Sequence, residues 1–180
     1  MATPETPQLH PGARRIIRIG DAGPEIVIDH WQRLGDDDPL PSFDALPVLV
    51  SRSRAAADRA ALDARVGSWG VWLAGDAAPE DVAPEVLGLP LVAIVVPKFT
   101  DGRHFSLATL LRTRYGFVGE LRAVGDVLPD QLFYMRRCGY TSFELKPGKS
   151  LDTGLRTLDA FSVSYQAAAD DARPLYRRRV

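Results

Sequence analysis

Leu91 to Lys146 reads LVAIVVPKFTDGRHFSLATLLRTRYGFVGELRAVGDVLPDQLFYMRRCGYTSFELK. Three strand-like runs lie in it, Leu91–Val96, Gly119–Gly125 and Ser142–Lys146, each followed by a charged or glycine-containing turn. Two of those turns open into helix-like segments. The first helix is expected to start at Ser106 as N-cap, with Leu107, Leu110 and Leu111 on one face, and to stop at Gly116. The second is expected to run from Pro129, with Leu128, Leu132 and Met135 aligned, to Gly139. Alternation of strand and helix is the signature of a mostly parallel sheet, and Leu91–Val96 is apolar throughout, as a strand covered on both faces must be.

Working outward, Pro47 to Leu73 extends the same alternation. It supplies a strand at Val48–Val50, a candidate N-cap at Ser51 or Ser53, an alanine-rich helix over Arg54–Val66 and a strand at Trp69–Leu73. Pro79, Pro84 and Pro90 leave room only for short helical turns between 74 and 90. Further upstream, β-branched runs at 14–19 and 25–31 flank the turn Gly20–Pro24 and predict a hairpin. The adjacent carboxylates Asp36, Asp37 and Asp38 read as a solvated loop, because a divalent cation needs further ligands at wider spacing. Downstream, Leu151, Leu155 and Leu158 predict a terminal helix to about Ala169, weakened by Gly154 and closed by Pro174. The fold class is therefore α/β: an N-terminal β-hairpin followed by β/α units that form a mostly parallel sheet or half-barrel. One domain over 14–170 is expected, between a proline-rich disordered lead-in at 1–13 and a basic tail at 171–180.

The chain has 180 residues, 46% of them apolar, enough for a substantial core. With 22 basic against 23 acidic residues, no global charge draws it to nucleic acid or an anionic membrane. The longest apolar run, Leu89–Pro97, is too short to span a bilayer, and no secretory h-region precedes it. Cys138 is the single cysteine, which excludes an internal disulfide or a C-x-x-C pair and suits a reducing cytoplasm. Sheet edges and uncovered apolar surface on a chain of this size lead us to expect a homodimer.

The chemistry is expected at the carboxyl ends of the strands, where ligands collect in parallel α/β sheets. Lys98, Asp101, Arg103 and Ser106 follow the first strand of the quoted stretch, and Asp126 follows the second. Arg103 beside a helix start favours an anion, although Asp101 and Gly102 also suffice for a plain turn with a locally paired arginine. In the strands themselves, Glu120 and Arg122 alternate with Leu121 and Ala123, and Ser142, Glu144 and Lys146 alternate with Phe143 and Leu145. Charge on alternate positions does not suit a face buried under helices. Either Arg122 and Glu144 pair across neighbouring strands, or that face lines a cleft. Lys98 and Asp126 are the candidate acid or base, with Arg103 and Arg122 as anion clamps. His104 beside the loop reads as a surface residue, Cys138 as packed, and Arg136 and Arg137 as structural partners of a helix C-terminus. No dinucleotide fingerprint, phosphate loop or nucleophile elbow is present, no metal site is expected, and no cofactor is implied.

The segments PKFTDGRHFSLA, LRAVGDVLPDQLFYMRRCGY and SFEL resemble the bacterial domain of unknown function 934 family, and the resemblance extends from about Pro47 to Tyr165. Members are described as oxidoreductases or as accessory proteins of assimilatory sulfite reduction, on the ground that their genes lie beside sulfite reductase. The resemblance implies a pathway and a partner, the sulfite reductase machinery, and carries no catalytic residue with it. Two functions compete on this basis: an accessory protein of sulfite reduction, and an enzyme that binds a small anion at the strand ends.

Overall fold

The computed structural model describes residues 14–41, 46–161 and 164–177. The lead-in expected over 1–13 and the last three residues of the basic tail lie outside them. One eight-stranded sheet organises the chain. A hairpin of β1 (Arg15–Gly20) and β2 (Gly23–Ile28) comes first, followed by β3 (Gln32–Arg33), β4 (Val48–Ser51), β5 (Trp69–Ala74), β6 (Leu91–Val96), β7 (Glu120–Gly125) and β8 (Ser142–Phe143). Their order is β2-β1-β8-β7-β6-β5-β4-β3, parallel from β3 through β8, with β1 antiparallel to both β2 and β8. The parallel strands lie side by side in sequence order, the arrangement of a half (β/α) barrel.

Chain connectivity forces the curl. Residues 29–31 alone join β2 to β3, which are the two edges of the sheet. Such a link reaches at most about 14 Å. A flat sheet of eight strands would set its edges roughly 34 Å apart. Only a curled sheet meets both conditions, and the link becomes a strap between the edges. The sheet edges on which a second copy could pair are thereby limited to β2 and the two-residue β3.

Alternation along the strands sorts the two faces. Val48, Val50, Val71, Leu73, Val92, Ile94, Leu121, Ala123 and Phe143 point to the convex face and form the main core. Helices cover that face: α1 (Arg52–Ala57), α2 (Arg59–Asp63), α3 (Pro79–Val86), α4 (Arg103–Thr113), α5 (Leu132–Arg137) and α6 (Leu151–Leu158). On the concave face Leu49, Leu91, Ala93 and Val124 pack with Trp31, Trp72 and Val95.

Several element boundaries differ from expectation, each for a local reason. Ser51 is the N-cap, accepting from the Arg54 amide, but the helix breaks at Asp58, whose carboxylate turns back to Arg54 Nε at 3.2 Å. Between 74 and 90 a full helix, α3, forms despite Pro84, because Val82, Ala83 and Val86 bury against the core. Helix α4 starts at Arg103 rather than behind Ser106, since the Asp101 carboxylate accepts the Arg103 amide at 3.1 Å and does the capping. Pro129–Gln131 is a 3-10 turn that leads into α5. Ser142–Phe143 is the paired part of the last strand, although the Glu144 amide still donates to Ala123 O at 2.9 Å. Helix α6 ends at Leu158, with the last residue of its apolar stripe, rather than near Ala169. Gly154 serves this helix by letting it close on β1: a Cβ there would sit 2.6 Å from Ile17 Cδ1.

Gly125 closes β7 at φ +100°, and a Cβ there would lie 2.5 Å from the Val96 carbonyl oxygen of the neighbouring strand. Backbone cannot yield as a flexible side chain can. Gly125→Ala is expected to destabilise the protein by about 2 kcal/mol, read as a lower urea midpoint at an unchanged slope.

Candidate functional site

The seven residues singled out from sequence fall into two separate groups. Arg122 and Glu144 point into the half-barrel; Lys98, Asp101, Arg103, Ser106 and Asp126 belong to the rim at the carboxyl ends of β6 and β7.

Inside the half-barrel, Arg122 on β7 is 1% exposed and fully engaged. Its Nη1 donates to Asp29 Oδ1 at 2.9 Å, and its Nε and Nη2 donate to Glu120 Oε1 at 3.0 and 2.7 Å. Ser142 Oγ also donates to Glu120 Oε1, at 2.5 Å. Arg122 therefore does not pair with Glu144. Glu144 accepts from Arg33 on β3 and lies 3.7 Å from Arg14 Nε. Arg14 in turn pairs with Asp29 at 2.7 Å. Three guanidinium groups thus face three carboxylates, a balanced set that suits a low-dielectric interior. The side chain of Asp29, on the strap, is wholly buried and tied to β7 through Arg122 and to the chain entering β1 through Arg14. The network consequently pins the strap across the concave face. Gly70 makes room for Trp31 beside it, since a Cβ on that glycine would lie 3.2 Å from the indole.

On the rim, Asp101 and Arg103 form a two-toothed pair, with Arg103 Nε and Nη2 donating at 3.0 and 2.7 Å. The Arg103 side chain and amide hold the Asp101 carboxyl down at about 2. Arg103 Nη1 also reaches Asp76 Oδ2, after β5, at 2.9 Å. Asp126 pairs with Lys146 Nζ at 2.8 Å and accepts the Phe99 amide at 3.0 Å; the lysine first and the amide second depress its pKa. Ser106 is exposed, inside the first turn of α4. Lys98 is exposed on the loop after β6 and makes no ion pair among the described residues.

His104 corrects the surface assignment. It is 0% exposed, and its Nδ1 meets Tyr140 Oη at 3.1 Å while Tyr140 Oη lies 3.2 Å from the His104 carbonyl oxygen. One hydrogen on the tyrosine satisfies that carbonyl, so the imidazole donates from Nδ1 and Nε2 keeps a bare lone pair, buried without a partner. Burial pushes the imidazole pKa down to about 4. Cys138 is packed, and burial raises its thiol pKa.

Sequence reading missed Arg14, Asp29, Arg33 and Glu120 as members of the inner network. Their signal was present in part: Glu120 shares the alternation that picked out Arg122. Asp36 Oδ1 accepts from the N-cap hydroxyl of Ser51 at 2.5 Å, and Asp38 Oδ2 accepts the Gly35 amide at 2.7 Å. Among the described residues no group of three or more His, Cys, Asp or Glu side chains could hold a metal ion, and no helix is long and apolar enough to cross a membrane.

Comparison with known proteins agrees with the resemblance read from the sequence. No curated protein and no solved structure matches the chain. One family matches residues 70–176, from β5 through the C-terminal segment, and is described as bacterial protein of unknown function (DUF934). With more than half of its length matched, the chain belongs to the DUF934 family.

Proposed function

We propose that the protein is a non-catalytic accessory component of assimilatory sulfite reduction, acting in the cytoplasm by binding the sulfite reductase machinery. The pathway comes from the family resemblance. Support for a binding role comes from one observation: the arginines offered as anion clamps are already matched to carboxylates, Arg122 to Asp29 and Glu120, and Arg103 to Asp101 and Asp76. A clamp so neutralised has little left for a substrate.

Removing the gene is expected to slow growth on sulfate or sulfite as sole sulfur source and to leave growth on cysteine unchanged. Size-exclusion chromatography of the purified protein with sulfite reductase should then give a shared peak. Equal growth on all three sources, or separate elution, would overturn the reading.

A second reading, an enzyme for a small anion at the strand ends, is favoured by Lys98, which lacks an ion pair among the described residues and precedes Phe99, the amide donor to Asp126. Lys98→Met would abolish turnover in that case and leave sulfite reductase binding intact. The absorption spectrum of the purified protein tests both readings against redox chemistry, which a flavin or haem band would revive.

A further inference from the structure

A groove of 540 Å³ opens beside the hairpin turn, where the chain enters β8, away from the rim and the inner network. Three arginines line it: Arg112 near the end of α4, and Arg136 and Arg137 at the end of α5. Asp21 of the hairpin turn and Asp170 and Asp171 of the C-terminal segment also face it.

The arginines are unevenly satisfied. Arg137 Nη1 donates to Asp170 Oδ1 at 2.5 Å, and its Nη2 donates to the Gln166 carbonyl. Arg136 has only long contacts, 3.5 Å to Leu158 O and 3.9 Å to Asp170 Oδ2, beyond good hydrogen-bond range. Arg112 donates from Nε and Nη1 to the carbonyls of Gly139 and Phe117, while its Nη2 is buried with no partner. Arg112 Nη2 is shut off from the groove, so the arginine there with donors to offer an ion is Arg136. Asp171 is turned to its own Arg173 amide, at 2.9 Å.

We propose that this groove binds a phosphate group and that Asp170 is its occupant in cis. The carboxylate of Asp170 fills one corner of a site built for more acceptors than it has. The segment that carries it lies across α5, with the Ala169 amide donating to Arg137 O at 3.0 Å. Tethering gives Asp170 a high effective concentration, so a monoanion competes poorly. A dianion with three or more acceptor oxygens bridges Arg136 and Arg137 together and displaces it. Phosphate binding and release of the C-terminal segment are then one event.

The test is titration with inorganic phosphate against sodium chloride at matched ionic strength, read by thermal shift and by amide hydrogen exchange. The parent is expected to show a saturable shift with phosphate alone, together with faster exchange at Ala169. Asp170→Asn removes the competing charge and should bind phosphate about tenfold more tightly. Arg136→Gln, at a part-exposed position that leaves folding intact, should bind about tenfold more weakly. Absence of a saturable shift in both the parent and Asp170→Asn would overturn the site. Phosphate binding with unchanged Ala169 exchange, or with no gain in Asp170→Asn, would overturn displacement of Asp170.

Discussion

Arg122→Met is expected to cost about 3–5 kcal/mol of folding stability, because it removes one partner from a buried network and leaves the others charged. The guanidinium is the common partner of Asp29 and Glu120. Without it, Glu120 keeps Ser142 Oγ as a neutral donor, and Asp29 keeps Arg14 and the Trp31 amide. The loss falls on closure as well as on charge, since Asp29 carries the strap that joins the sheet edges. Glu120→Gln added to Arg122→Met should recover part of the deficit, by removing the unpaired charge, whereas Glu144→Leu should not, because Glu144 belongs to Arg33. Urea midpoints of the parent, the single variant and both double variants measure all of this. An Arg122→Met protein within about 1 kcal/mol of the parent would place the arginine in an open cleft, where a lost charge matters little.

The succession of strands along the chain and the existence of a charged strand face were legible because they are written in local pattern, whereas the order of the strands in the sheet was not. Apolar runs separated by turn residues gave β4 through β8, and alternation at Glu120, Arg122, Ser142 and Glu144 showed that one face carries charge. Pairing was not legible, for Asp29 and Arg122 are 93 residues apart and nothing local links them. Arg122 and Glu144 were natural partners on neighbouring strands. The curl of the sheet redirects both, by bringing Arg33 on the far edge within reach of Glu144 and laying Asp29 over Arg122. The rim residues show the converse: Asp101, Gly102 and Arg103 make a local turn that sequence could propose, and its carboxylate caps α4. Local bonds are readable from spacing; bonds made by closure of the barrel are not.

His104 escaped for a different reason: a polar loop precedes it, yet the backbone of α4 comes close enough to β5 to swallow the ring. A Cβ on Gly75 would lie 3.0 Å from His104 Cβ and 2.7 Å from Val95 O, so a glycine after β5 is what permits that approach. The buried imidazole makes stability depend on acidity in a definite direction. Its folded pKa is about 4, and in the unfolded chain it returns to about 6.5. Between those values the unfolded chain binds a proton that the folded protein refuses, so stability falls as the pH drops through this window. The loss is about 3 kcal/mol by pH 4, and the group's contribution to the slope fades as the pH rises past about 6.5. Asp101 and Asp126 also weaken the fold on acidification, since their depressed pKa values stabilise it above the unfolded carboxylate range, but their window lies lower. His104→Gln isolates the imidazole: a glutamine amide can still meet Tyr140 and does not titrate. The gap in stability between parent and variant should shrink by about 3 kcal/mol from pH 7 to pH 4. A gap that stays constant across that range would mean that the folded protein accepts the proton and that Nε2 has found a partner.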